Sequence, residues 1–470
     1  MTDFSIIVQS PEIRAIVQEN TLERAFHDAL FPRLLFRGEA TAELWAGQVG
    51  DSMTFTGAGL IKPKTKPLVP GSDPVPSTFT SEQWSSTLNL YADAIDTNMP
   101  TSMVAIANLF LRNAQQLGLS AGQSLNRLPR NRLFNAAESG HTVADGPQGA
   151  VTTISVKRLN GLTKARRPDL ALGSPVRYDA VSANNPLKIR IWDTTGAGVE
   201  VSRTIVGFSA ATAGDEVGPG TITIAGGAVT VADRAYIVSE DRTYLVRVGG
   251  GMKIDDVGST DLLRLSDIRA AISRFRTSNV PPMPDGKYHC HLDPTSEAQV
   301  FSDPEWQRLL TALPDYYMYK DFTIGQLLGT VYFQNSENPI PETVDGGLTA
   351  TYSTDEAFAG ELFNTGATSG VKVHRALFVG QGMLREYYTN LDELITEAGI
   401  TGKTAEPRIT NNGIEVFTER IQMILRAPLN RLQDQVSTAW KFIGDWPVRT
   451  DVTTGDYARY KRACVVQHGE

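Results

Sequence analysis

Two short stretches of this chain hold residue types whose spacing could do chemistry. Gly399 to Thr404 read GITGKT, the tail of a phosphate-binding loop. That loop cradles phosphate in backbone amides, follows a strand, and needs a glycine five positions before the second one. Here that position is Glu397, which would repel phosphate, and the residues before it have a helical pattern. A helix cap and turn is the plainer reading. The second stretch is His289, Cys290 and His291 with Asp293 nearby. On a strand, His289, His291 and Asp293 would share a face and could approach one metal ion. A closed zinc site takes four ligands, and no second cluster completes this one. A partly buried structural strand is the competing reading, and the expectation is no metal and no cofactor.

A third group is cationic. Lys62, Lys64 and Lys66 lie in IKPKTKPLVPGSDPVPSTF, which holds five prolines and three lysines. They could touch acidic neighbours or cross-link to a facing asparagine, although the buried acid such a link needs is not in view. The motifs H-E-x-x-H and C-x-x-C are absent, and the carboxylates do not cluster. The expectation is a protein that is not an enzyme.

Composition bounds the rest. The chain has 470 residues, enough for two or three domains, and its 41% hydrophobic content allows a real core. No run approaches the roughly eighteen apolar residues of a membrane span, and the N-terminus lacks the charged and apolar regions of a secretory signal. Two cysteines, Cys290 and Cys464, fit a reducing compartment better than a disulfide scaffold. A net charge of −8 argues against dedicated nucleic-acid binding, though not against lying near DNA.

The elements that must position these residues follow in order. A helix is expected over Thr21 to Leu35. Met53 and Phe55 alternate with threonines as a strand, and Trp84, Leu88, Leu90 and Ala92 form one face of a return strand. The proline-rich stretch between them cannot be helical, so residues 49–95 predict a long hairpin with an extended tip. An isolated hairpin is marginal in water, so this one needs a partner surface, which another copy of the chain could supply. Pro100 to Ala137 predicts a long helix, with Met103, Ala107, Phe110, Ala114 and Leu117 on one side and Pro129 as its kink or end. At ~1.5 Å per residue it would span roughly 50 Å, which is the length of a strut. Residues 162–251 turn to short alternating runs with glycine-rich turns, a small β-sandwich or barrel-like insert. Ser266 is the expected cap of SDIRAAISRFR, KYHCHLDP and VKVHRALFVGQGML are strands, and Val436 to Phe442 and Ala463 to Val466 are expected in one sheet.

The order of these elements resembles the major capsid protein of tailed bacteriophages, the Hong Kong 97-type coat fold. PLVPGSDPVPSTF followed by QWSSTLNLYADAIDTNMP is similar to the extended loop returning into the spine helix, and LFLRNAQQLGLSAGQSLNRLPRNRLFNAA to that helix. SDIRAAISRFRTSNVPPMPDGKYHCHLDP resembles a peripheral helix leading into the axial domain, and VHRALFVGQGML a later axial strand. The implied fold is α+β: an N-terminal arm at 1–48, extended loop at 49–95, peripheral domain with spine helix at 96–161, and β-rich insertion domain at 162–251. A peripheral helix follows at 252–285, an axial domain at 286–425, and C-terminal strands returning to the peripheral domain at 426–470.

The function this resemblance implies is a coat subunit, made in the host bacterial cytoplasm, that assembles as hexamers and pentamers into an icosahedral virion shell around double-stranded DNA. Implied partners are further copies of itself, a portal and a separate scaffold or decoration proteins, with non-specific proximity to DNA and no membrane. Lys62, Lys64, Lys66, Pro67 and Pro70 would be inter-subunit contacts of the extended loop. Two rivals remain from the residues alone: a carbohydrate-active hydrolase with a β-rich accessory module, using two dispersed carboxylates, and a tail or adhesin-type binding protein.

Overall fold

The computed structural model describes residues 35–45, 52–58, 64–77, 81–98, 109–167, 176–192, 200–251, 254–311, 325–335, 338, 373–388, 408–410, 413–418, 421–426, 435–451 and 459–470. It divides into two compact units. One comprises Met1–Met53, Ser85–Arg130 and Leu384–Pro447; the other comprises Thr54–Trp84, Asn131–Met383 and Val448–Glu470.

The first unit is built on a large sheet centred on Gln435–Asp445. Asn89–Asn98 pairs along one edge of that strand and Ile421–Arg426 along the other. Thr41–Leu44 joins the sheet through parallel pairing with Arg385–Tyr388. Phe36, Trp440, Phe442 and Trp446 are buried, and the rings of Phe442 and Trp446 stack at 5.0 Å. Arg37 is buried with them. It grips Glu386 through two nitrogens, at 2.6 and 3.0 Å, and lies over the Phe442 ring. Such a forked pair offsets part of the cost of removing both charges from water.

The long helix is Leu109–Ala137. Within the first unit Ala114, Leu117, Ala121 and Leu125 are fully buried at the expected three- and four-residue steps. Pro100, Met103 and Ala107 lie outside the described residues. Pro129, expected to kink or end the helix, lies inside it and does not end it. Proline in a helix interior costs ~3 kcal/mol; burying Leu133 and Phe134 beyond it contributes ~1.5–3 kcal/mol each and offsets that cost.

The second unit carries a six-stranded sheet in the order Leu245–Arg247, Ala463–Gly469, Val373–Val379, Tyr288–Leu292, Thr330–Gln334, Gln326–Leu327. The helix Leu265–Thr277 packs on it, sharing a core of Ile268, Ile272 and Phe275 with Tyr288, Phe378 and Val466. The expected domain boundary at 285/286 therefore runs through one continuous core. The cap of that helix is Arg264, not Ser266: the Asp267 carboxylate accepts from the Arg264 amide, and Asp303 takes the Leu265 amide. Val436 to Phe442 and Ala463 to Val466 do not share a sheet. The first belongs to Gln435–Asp445, whose partners are Asn89–Asn98 and Ile421–Arg426; the second belongs to Ala463–Gly469, whose partners are Val373–Val379 and Leu245–Arg247. Fully buried side chains at all seven positions of Val373–Val379 fit its central place.

The second unit also holds a small barrel. Its strands run in the order His141–Val143, Tyr236–Ser239, Leu187–Trp192, Glu200–Ala210, Gly220–Ala225, Thr153–Val156. The two end strands then meet. Ala144 bridges Val156, the Asp145 amide donates to the Ser155 carbonyl (2.9 Å), and the Lys157 amide donates to that of Val143 (3.0 Å). Ile154, Leu187, Ile189, Ile191, Ile205, Ile222 and Ile237 fill one interior cluster. Alternation along short strands marks this barrel, two of whose strands precede residue 162.

Candidate self-association surface

The hairpin strands are Ser52–Ala58 and Ser81–Thr87, which form a two-stranded sheet. The return strand does not continue through Ala92 on one face. Asp445 accepts from the Ser86 hydroxyl (2.7 Å) and the Thr87 amide (3.3 Å), which takes that amide out of the ladder. The chain changes partner there, and Leu90 in the next strand is 65% exposed, whereas Trp84 is buried.

The root of the hairpin is fixed by Trp84. Its ring stacks on Phe55 at 6.2 Å, and the Arg449 guanidinium lies 5.7 Å from its centre. A Cβ on Gly57 would come within 3.1 Å of the Trp84 ring, so glycine lets the indole lie against the strand. Glu82 bridges Val176, and the Val176 amide donates to the Ser81 carbonyl (2.7 Å).

Between the strands, every residue from Lys64 to Ser77 is exposed. Val69, Pro70, Gly71 and Ser72 make a turn in which proline presets one dihedral and Gly71, at φ +88°, takes the left-handed position. The Ser72 amide and hydroxyl both donate to the Val69 carbonyl. Lys64 Nζ reaches across the tip to the Val75 carbonyl at 3.0 Å. Of the expected contact residues, Lys64, Lys66, Pro67 and Pro70 therefore stand exposed on one tip, while Lys62 lies outside the described residues. Leu68, Val69 and Val75 share that tip and were not among the residues expected from the sequence. They are 58%, 70% and 75% exposed, and three large apolar side chains among five prolines were the available signal.

The other chemistry-bearing stretches resolve differently. Gly399 to Thr404 lies outside the described residues. His289 and His291 share a face, both against the Phe333 ring, but Asp293 leaves them to cap the next helix. Its carboxylate accepts from Ser296 and from His374, 2.8 Å away. Burial alone would raise the Asp293 carboxyl, but the His374 contact lowers it below the ordinary carboxylate range. Among the described residues no group of three or more candidate ligands is placed to hold a metal ion. No helix among them is long and apolar enough to cross a membrane.

One buried cluster was invisible in the sequence. Glu138, just past the long helix, accepts from Arg375 at 2.6 Å, Arg158 at 3.2 Å and Gln467 at 3.1 Å. All four side chains are buried. Burial would raise the Glu138 carboxyl, but the two guanidinium groups hold it below its usual value. Burial pulls Arg158 down to about 10, opposed by Glu138, so it stays charged near neutrality. Nearby His141 takes the Tyr236 hydroxyl at 2.6 Å and faces the Thr243 carbonyl at 3.0 Å. A carbonyl only accepts, so Nε2 carries the proton and Nδ1 accepts from tyrosine. Burial, then Arg247, lowers His141 to about 3, and it is neutral. These contacts tie barrel residues to the neighbouring sheet.

No protein-family model matches the chain, and no curated protein sequence matches it. Among solved structures it is similar to the capsid of cyanophage P-SCSP1u, at 10% identity and a TM-score of 0.47, over 93% of this chain and 88% of that one. It is similar to the capsid of Ralstonia phage GP4 at 12% identity and 0.45, over 92% and 87%. For the capsid asymmetric unit of cyanophage Pam1 the values are 12% and 0.46, over 90% and 86%.

Proposed function

We propose that this chain is the major capsid protein of a tailed bacteriophage, a Hong Kong 97-type subunit that assembles as hexamers and pentamers into the virion shell enclosing double-stranded DNA. The observation that carries the reading is the hairpin tip. A chain that buries Trp84 at the root and then leaves Leu68, Val69 and Val75 in solvent forgoes ~1.5–3 kcal/mol per side chain unless another surface covers them. Identical copies are the covering surface of a self-assembling shell. In this reading Lys64, Lys66, Pro67, Pro70 and, with them, Lys62 lie over a neighbouring subunit. The lysines add ion pairs at the rim, worth ~0–1 kcal/mol each. The acidic balance suits a container that must hold DNA without gripping it. Portal, scaffold and decoration proteins are the further partners of such a subunit.

Electron microscopy of the expressed chain tests the proposal, beside a variant lacking Pro63 to Pro74. Shells, or rings of five and six, are expected from the intact chain, and folded monomers from the variant. A monodisperse monomer from the intact chain overturns the coat reading. Shells from the shortened chain overturn the role of the tip.

A further inference from the structure

His374 and His468 stand opposite each other in the antiparallel pair Val373–Val379 and Ala463–Gly469. Their rings stack 5.5 Å apart at 19°, and both are buried. His374 Nδ1 is 2.8 Å from Asp293 Oδ2, and its Nε2 is 3.2 Å from Glu470 Oε2. Ionised carboxylates only accept hydrogen bonds, so both ring nitrogens must carry protons, and His374 is an imidazolium. His468 is held differently. Ser296 Oγ lies 2.7 Å from His468 Nε2 and is also bonded to Asp293 Oδ1. The hydroxyl has one hydrogen, and Asp293 takes it. His468 Nε2 is then the donor to Ser296, and its Nδ1, 3.4 Å from the Gly469 carbonyl, is at the far end of hydrogen-bond range. One proton on His468 satisfies the site, so that ring is neutral.

The groups facing the pair come from three places. The helix Pro294–Ser302 and its cap supply Ser296 and Asp293, the strand Ala463–Gly469 supplies His468 itself, and Glu470 follows that strand. Among the described residues no lysine or arginine bonds to either ring.

We propose that the stacked pair His374–His468 holds a single extra proton, stationed on His374, and that this proton latches the strand Ala463–Gly469 into its sheet. The latch loosens on both sides of a window. On the alkaline side, burial lowers His374, but the Asp293 and Glu470 contacts outweigh it and raise its pKa above 6.5. Stability from this group is complete below 6.5 and is lost as pH rises through the raised value. On the acid side, burial, then His374, lowers His468 to about 4. The unfolded chain binds that proton more readily, so stability falls as pH drops from 6.5 toward 4. The second proton would also set two like charges face to face.

The test uses the full chain with its six histidines labelled at Cε1 for nuclear magnetic resonance. One resonance is expected to titrate above 6.5, to vanish in His374→Gln, and to move to lower pKa in Glu470→Gln, a change at an exposed site that keeps an acceptor. A second, lost in His468→Gln, is expected to stay neutral down to about 4. Amide exchange over 463–469, corrected for intrinsic rate, should be slowest near pH 6.5 and rise on either side. If His374 titrates at or below 6.5 in the unaltered chain, or if protection of 463–469 does not vary with pH, the latch is wrong.

Discussion

Arg449 lies over Trp84 at the root of the hairpin, with its guanidinium 5.7 Å from the centre of the indole. The cation covers a ring that anchors an otherwise exposed projection. Truncating a buried tryptophan to alanine costs ~3–5 kcal/mol. A cation over an indole contributes ~0.5–2 kcal/mol, according to how dry the site is. Trp84→Ala is therefore expected to lower the unfolding midpoint far more than Arg449→Ala. A double-mutant cycle in denaturant should recover a coupling of about 1 kcal/mol. Strictly additive losses would mean the contact is incidental.

The forked pair of Arg37 and Glu386 predicts an asymmetry. Removing one partner leaves a buried charge without its counterion and should cost ~3–5 kcal/mol. Arg37→Met combined with Glu386→Leu should be much milder than either single change, because both charges leave together. Chemical denaturation of the three variants measures this. A double variant worse than both singles would contradict it.

Glu138 gives an acid limb. Its carboxyl is held below its ordinary value of 4.5, so its stabilising effect is present above that value and is lost as pH falls through the lower native one. Glu138→Gln should destabilise the chain by ~3–5 kcal/mol at neutral pH, since two buried guanidinium groups then face an uncharged amide. The same variant should flatten the decline of stability below pH 4.5, read as thermal midpoint against pH.

Cys290 and Cys464 both lie opposite Phe378, on the two strands that flank it. Two strand spacings separate their Cα atoms by roughly 9.6 Å, beyond the ~7 Å a disulfide spans. Burial raises both thiols, Cys464 to about 12. Neither should react with a thiol reagent in the native chain, and both should react after denaturation. Mild oxidation should leave two free thiols by mass.

These elements were unequally legible in the sequence. The stripe of Ala114 and Leu117 and the alternation of Leu187, Ile189 and Ile191 follow local periods, and local periods survive without knowledge of partners. The barrel's first strand, His141–Val143, is three residues long and carries no such pattern, so where the barrel starts was hidden. The fate of Pro129 depended on whether the residues after it were buried, which only the packing decides. Asp445 ended the hairpin's ladder from the far side of the chain, and Glu138, Arg158, Arg375 and Gln467 are distant in sequence. Pairings of that kind leave no spacing to read.

The barrel's way in and way out lie side by side: the Ser239 amide donates to the Gly140 carbonyl at 2.8 Å, and His141 pairs with Val238. The segment between them is therefore a detour that starts and finishes at the same doorway. It could be excised and the ends spliced, or exchanged for a foreign module, without stretching the sheet left behind. Such surgery takes Arg158 with it but leaves Glu138 facing Arg375, one charge against one, so the graft site would be electrically balanced.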